Sequence, residues 1–355
     1  MDWDDSSQVL DYVPILQLLA DYKYDSYQRF GPGKRFIESL ALWLNQFDKS
    51  DRPIALRLVV ERLIYFSDRE LSHIVETAYP DLVVRERIRL VAEEQNIAGH
   101  KVQKIVTHSR FRELQYRSLY LGLSDGARTN EMRRASNGGI GNEQIWQAYE
   151  LSDDKAEDML KEMRKSLAEA EIPNETSKFT LVWLLDDFSG SGNTYIRLDA
   201  ESGKFKGKIK KIYDRLSRGD LVDPTHYEVY LLLYVATRQA IDHIEYWSER
   251  FAAEHGFKPL QVHVLCPIER AVSVNSNPDP ELEHLVQTVS YYDDKASDKH
   301  MAVGGTVDGR RGFANCALPL VLSHNTPNNS LYILWGPENY KFFGLFPRVS
   351  RHKEF

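Results

Sequence analysis

Apolar residues in the first third of the chain recur at helical spacing. Val9, Val13, Leu16 and Leu19 share one face of a 3.6-residue period, as do Phe36, Leu40 and Leu44. Polar turns such as Gly31-Pro32-Gly33 and Asp48-Lys49-Ser50-Asp51 separate these runs. The stretch from Ile54 to Phe66 continues the pattern through Leu56, Val59, Val60 and Leu63. The spacing predicts a helical amino-terminal domain over residues 1–117, with stripes that are core rather than groove, because helical periodicity by itself usually means packing.

After Arg117 short apolar runs alternate with amphipathic segments. Ser118 to Leu123 reads as a strand, and Asp154 to Leu167 as a helix with Met159, Leu160, Met163 and Leu167 on one face. Phe179 to Leu185 is almost wholly apolar and too short for a core helix, so it reads as a buried strand. A basic helix or loop runs from Tyr195 to Leu216. Tyr227 to Ala236 is a further apolar run, Gln239 to His255 is helical through Ile241, Ile244, Trp247 and Phe251, and Gln261 to Cys266 is a last strand. Strands separated by helix-length segments imply parallel βαβ units, an α/β domain over 118–355, and ligands beyond the carboxyl ends of the strands. No internal repeat interrupts this order.

Composition narrows the class. Hydrophobic residues are 42% and charged residues 27% of the 355-residue chain, as in a soluble globular protein with one large domain or two ordinary ones. A net charge of −7 gives no global attraction to nucleic acid or an anionic membrane. Lys104, His108, Arg110, Arg112 and Arg117 form a local basic cluster that reads first as a solvated helix face, with phosphate or nucleic-acid contact as the alternative. No apolar run has the length of a membrane span and Met1-Asp2-Trp3-Asp4-Asp5 does not begin a signal peptide, so the expected location is cytoplasmic. Only Cys266 and Cys316 occur, without histidine at ligand spacing, which excludes a disulfide framework and a zinc pattern.

The candidate chemistry lies after the strand at 179–185. Asp186 and Asp187 stand where that strand emerges, expected to face solvent, and Ser189, Gly190, Ser191, Gly192, Asn193 and Thr194 follow. Small residues let backbone amides converge into an anion cradle, and a helix starting near Thr194 would add its positive end. Carboxylates beside an anion site make sense if they hold sugar hydroxyls or magnesium. A dinucleotide fingerprint lacks its third glycine and a triphosphate P-loop lacks its lysine, while simple helix capping stays open. A second loop, Ser124-Asp125-Gly126-Ala127-Arg128-Thr129, repeats the logic, with Arg128 as a planar fork for phosphate. Arg133, Arg134, Asn137, Gly138, Gly139 and Gly141 form a flexible, basic, glycine-bearing stretch that reads as a simple hinge or surface loop. Asp308, Arg310, Arg311, Asn315, His324, Asn329, Trp335 and Arg348 could build a second pocket, although each singly is more often structural.

The strand, acidic pair, linker and Ser191-Gly192-Asn193-Thr194 resemble the phosphoribosyl-diphosphate motif of the type I phosphoribosyltransferases, which usually reads Thr-Gly-Gly where Ser191-Gly192-Asn193 stands. The resemblance implies a parallel-sheet core, Asp186 and Asp187 on the ribose hydroxyls and on Mg2+, Ser189 to Thr194 on the 5-phosphate, Ser124 to Ala127 with Arg128 on the pyrophosphate, and a mobile cover in the region of residues 133–141. The wording of these loops, with His324-Asn325-Thr326-Pro327-Asn328-Asn329 and Leu345-Phe346-Pro347-Arg348, is similar to a narrower group, the phosphoribosyltransferase-like proteins of bacterial conflict systems. It implies an anti-phage or retron effector acting on phosphoribosyl diphosphate or a nucleotide, with a reverse transcriptase or winged-helix partner. The alternatives are a non-catalytic sensor of the same ligand and, third, a scaffold.

Overall fold

The computed structural model describes residues 6–28, 30, 33–173, 177–223, 226–297, 299–306 and 308–348. Met1 to Asp5, and Gly31 and Pro32 of the first expected turn, lie outside the described residues. In chain order the strands are β1 (Ile64–Phe66), β2 (Ser118–Gly122), β3 (Ile145–Gln147), β4 (Leu181–Ser189), β5 (Arg197–Leu198), β6 (Phe205–Lys206), β7 (Glu228–Thr237), β8 (Gln261–Ile268) and β9 (Leu320–Leu322). Five of them make the main sheet in the order β3-β2-β4-β7-β8. Neighbours from β3 to β7 pair in parallel, with Tyr120 opposite Trp183 and Trp183 opposite Tyr230. The expected α/β class and parallel sheet are therefore present.

Side chains alternate across this sheet, and a parallel sheet has to be covered on both faces. Leu119, Leu121, Val182, Leu184, Leu231 and Leu233 point to one face, against helices Asp153–Glu169, Lys208–Leu216 and Arg238–His255. Tyr120, Leu181, Trp183, Leu185, Leu232 and Tyr234 point to the other, where Val75, Val91, Leu114 and Met132 pack. The second layer explains how the amino-terminal helices divide. Residues 72–267 form one compact unit, and residues 1–71 join 268–355 in another, so the units part at 71/72 and 267/268 instead of at 117/118. Helices after residue 72 are the lid the sheet requires.

In the unit built from the two ends of the chain, β1 and β9 pair in parallel, with Tyr65 opposite Val321. Its core joins Phe36, Trp43 and Tyr65 to Tyr332, Trp335, Phe342 and Phe346. Among the described residues no helix is long and apolar enough to cross a membrane. Cys266 and Cys316 are both free thiols.

Two local expectations change. The segment from Tyr195 to Leu216 holds a short antiparallel hairpin, β5–β6, before its helix begins at Lys208. The glycine-bearing stretch 133–141 is a packed turn and no loose cover: Gly139 N donates to Ser136 O at 3.0 Å, Ile140 N to Ser136 Oγ at 3.0 Å, and Ile140 is buried. A Cβ on Gly139 would collide with the Tyr79 hydroxyl, which fixes the turn against the sheet's covering layer.

Candidate ligand site at the carboxyl end of the sheet

The chain leaves β2 toward the face covered by helix Thr129–Ala135 and leaves β4 toward the face covered by helix Lys208–Leu216. Adjacent parallel strands whose connections diverge to opposite faces open a crevice at their carboxyl ends, the usual ligand position in open α/β sheets. The two loops singled out in the sequence lie at these carboxyl ends.

The acidic pair does not follow the strand but belongs to it. β7 runs to Thr237 and keeps offering backbone partners, so β4 continues past Leu185, with Asp186 opposite Leu233 and Ser189 opposite Ala236. Consecutive strand residues face opposite ways, and the two carboxylates are therefore sent to different layers. Asp186 is 1% exposed, contrary to the expected solvent-facing position. Its Oδ1 accepts from the Ser124 hydroxyl and from Asp187 N at 3.2 Å; its Oδ2 accepts from the Tyr195 hydroxyl at 2.7 Å and from Lys208 Nζ at 2.6 Å. Burial pushes the Asp186 carboxyl above the ordinary aspartate range, against the pull of the Lys208 ammonium and with a further push from Asp187. The same burial, with Asp186 beside it, raises the Tyr195 phenol well above its usual value.

Asp187 is half-buried on the other face, where its Oδ1 accepts from Phe188 N at 2.9 Å. Gly126 lies so close that a Cβ there would collide with Asp187 Oδ2. Ser124 bonds Asp186 and Gly126 abuts Asp187, so the loop after β2 is seated on both acids at once. Beyond it, Asp125 is exposed and accepts from the Tyr149 hydroxyl at 2.7 Å, and the buried Ala127 carbonyl accepts from the Tyr234 hydroxyl at 2.9 Å. Arg128 has a left-handed backbone, φ 49° and ψ 38°, uncommon for a residue other than glycine. Its guanidinium bonds Glu131 Oε2 at 2.9 Å and reaches Ser72 Oγ at 3.5 Å.

The second loop folds inward. Ser189, Gly190, Ser191 and Gly192 are buried, Asn193 is half-buried and Thr194 is exposed. Gly190 O accepts from Thr237 Oγ1 at 2.6 Å, at the cap of helix Arg238–His255. Gly192, at φ +79°, passes so near that helix that a Cβ would lie 2.8 Å from His243 Cδ2. No helix starts at Thr194. The chain turns into the β5–β6 hairpin, and helix Lys208–Leu216 begins later, its first amides bonded to Thr194 O at 3.1 Å and Tyr195 O at 2.9 Å. The expected contribution of a helix start at Thr194 is therefore absent, and those first amides are capped by backbone.

Among the described residues no three His, Cys, Asp or Glu side chains gather as a metal site. With both oxygens of Asp186 occupied, the acidic pair does not fit a two-carboxylate magnesium site. The carboxyl-terminal motif residues belong to the other unit and bond internally: Arg310 to Asp308 at 2.9 Å, Asn329 Nδ2 to Phe313 O at 3.2 Å, and Trp335 Nε1 to Ser330 O at 2.9 Å. The basic cluster before β2 is also paired, through Arg110 with Glu94 at 2.7 Å and Arg117 with Glu113 at 2.8 Å. Sequence reasoning missed Tyr195, Lys208, Tyr149 and Tyr234. Only the run of lysines at 204–211 hinted at one of them.

Comparison with curated proteins and with solved structures finds no significant match. One family model does match, over residues 40–348, and so spans both compact units and both loops. That match, over most of the chain and on a parallel α/β core, places the chain in the family PRTase-CE, the phosphoribosyltransferase-like conflict effectors.

Proposed function

We propose that this family member binds phosphoribosyl diphosphate or a related nucleotide between β2 and β4 and modifies it as an effector of bacterial anti-phage defence. The observation that carries the reading is the apposition of Gly126 and Asp187 at the carboxyl ends of β2 and β4, where a close backbone meets a carboxylate between two small-residue loops. Asp187 suits the ribose hydroxyls. The loop Ser189 to Thr194 suits the terminal phosphate, and Arg128, shared with Glu131, suits the diphosphate. In the transfer, the bond from the anomeric carbon to the diphosphate oxygen breaks with its electron pair leaving on oxygen, a base nitrogen or water forms the new bond to that carbon, and the proton the nucleophile sheds passes to the departing diphosphate or to solvent. Holding both ends of the donor and stabilising the leaving anion are what such a site contributes. Magnesium would arrive with the phosphates and meet Asp187 as its protein carboxylate. A reverse transcriptase or winged-helix protein is the proposed partner, and the cytoplasm the proposed location.

A second reading, a sensor that binds the same ligand without turnover, is favoured by the internal pairing of Arg128 with Glu131. Pyrophosphate release separates the two. The purified protein, with and without the products of neighbouring genes, is incubated with phosphoribosyl diphosphate and Mg2+ while pyrophosphate and nucleotides are followed by mass spectrometry. The transferase reading expects release that Asp187→Asn abolishes. Binding without release under every acceptor supports the sensor, and no ligand-induced thermal stabilisation at all removes both.

A further inference from the structure

Three separated pieces of chain converge on the Asp186 carboxylate: Ser124 from the loop after β2, Tyr195 from the approach to the hairpin, and Lys208 from the first turn of helix Lys208–Leu216. We infer that Asp186 is a buried tie and not a ligand, that Ser124, Tyr195 and Lys208 are positioning residues acting through it, and that Asp187 is the member of the acidic pair offered to the ligand. This rests on the crevice between β2 and β4 being the ligand site.

Lys208 occupies a position that the helix itself disfavours. A cation in the first turn opposes the helix dipole, and that turn holds no acidic residue and no side-chain cap. The ammonium instead sits 2.6 Å from Asp186 Oδ2 and 5.1 Å from the Tyr195 ring centroid, where the carboxylate and the aromatic face both favour a charge. Gly207 sets up that placement. At φ +128° it brings the chain so near the preceding segment that a Cβ would collide with Tyr195 O, which only glycine avoids. Tyr195 and Lys208 thus reach the same oxygen from one rigid corner. The opposite oxygen holds Ser124, so the tie clamps the loop after β2 to the segment after β4. Its neighbour Asp187, next along the strand, is sent to the opposite face, where it lies against Gly126.

Removing one partner of a buried ion pair is strongly destabilising, whereas removing both charges together is often close to neutral. The test uses wild type, Asp186→Asn, Lys208→Met, the double variant, Lys208→Arg and Asp187→Asn. Melting temperatures are recorded, and phosphoribosyl diphosphate affinity is measured by calorimetry with Mg2+, each variant well below its own Tm. A tie predicts that Asp186→Asn and Lys208→Met each lower Tm, that the double variant recovers most of the loss, and that Lys208→Arg stays near wild type. Lys208→Met should also weaken binding while fully folded, which a purely structural residue would not do. The double variant, whose side-chain amide at position 186 keeps partners in Ser124 and Tyr195, should bind within about threefold of wild type, while Asp187→Asn loses on the order of 30-fold, the range of a charge-assisted contact.

Loss of binding in the double variant equal to that of Asp187→Asn would make Asp186 a ligand and overturn the inference. So would Tm losses that simply add, or an unchanged affinity in Lys208→Met. If wild type binds no phosphoribosyl diphosphate, it is the ligand assignment that fails, and the Tm cycle alone still decides whether the tie exists.

Discussion

A methyl group on Gly126 and the carboxylate of Asp187 cannot occupy their present positions together, since the added carbon would fall inside the contact distance of Oδ2. Gly126 has no left-handed backbone to preserve, so alanine can adopt its conformation and the conflict falls on the neighbouring acid. Gly126→Ala is therefore expected to weaken ligand binding about tenfold, with an overpacking loss of only ~1–2 kcal/mol in stability. An affinity equal to wild type by calorimetry would detach Asp187 from the ligand. Gly192 answers to a different constraint. Its φ of +79° and its 2.8 Å approach to His243 Cδ2 both exclude a side chain. Gly192→Ala should lower stability by ~2 kcal/mol or more in urea denaturation, combining left-handed strain with the clash. Both glycines stand out in the sequence as members of small-residue loops, and their residue types are readable there. What each one touches is not, because Asp187 and His243 are brought to them by strands and helices far along the chain.

β4 shows where periodicity stops being informative. Its apolar run ends at Leu185, yet the ladder to β7 continues through Ser189 because backbone pairing needs no apolar side chain. Hence the strands and helices at 118, 153, 228 and 238 were legible to within a residue or two, whereas the membership of Asp186 and Asp187 in a strand, and so their opposite faces, was not. The missing helix after Thr194 has a similar cause. The β5–β6 hairpin is two residues on each side, too short to leave an alternating pattern, and it moves the helix start to Lys208. Tyr234 gives this level its own test. From the middle of β7 its hydroxyl donates to Ala127 O at 2.9 Å, across β4, and pins the loop after β2. Tyr234→Phe leaves that buried carbonyl without its donor, so ~1–2 kcal/mol of stability should be lost. Hydrogen exchange should quicken at residues 124–128 more than along β7 itself; uniform acceleration across both would show that the bond does not hold the loop in particular.

The two ends of the chain fold with each other, and no local pattern could have announced it. Helical stripes at residues 16–44 are the expected amphipathic kind, but the surface they need is supplied by residues from 268 onward, including β9 beside β1. Three residues of the carboxyl-terminal motif bond within this unit as well, Arg310 to Asp308, Asn329 to Phe313 O and Trp335 to Ser330 O, while Asp308, Arg311 and Asn315 line a cavity of about 350 Å³ beside them. Phe346 is the clearest point of dependence. It is fully buried, and its ring lies 5.2 Å from Tyr27, 5.5 Å from Tyr65, 5.8 Å from Phe30 and Phe36, and 5.9 Å from Tyr24, all from the amino-terminal segment. Tyr27 adds a hydroxyl bond to Phe346 O at 3.1 Å. Phe346→Ala removes a ring that five others surround and leaves a cavity they cannot all close, so a loss of ~3–5 kcal/mol is expected. The buried Trp43 and Trp335 of the same unit report its unfolding by fluorescence. A denaturation midpoint within the error of wild type would mean that the amino-terminal helices complete their core without the carboxyl-terminal chain, and the pairing of the ends would lose its energetic basis.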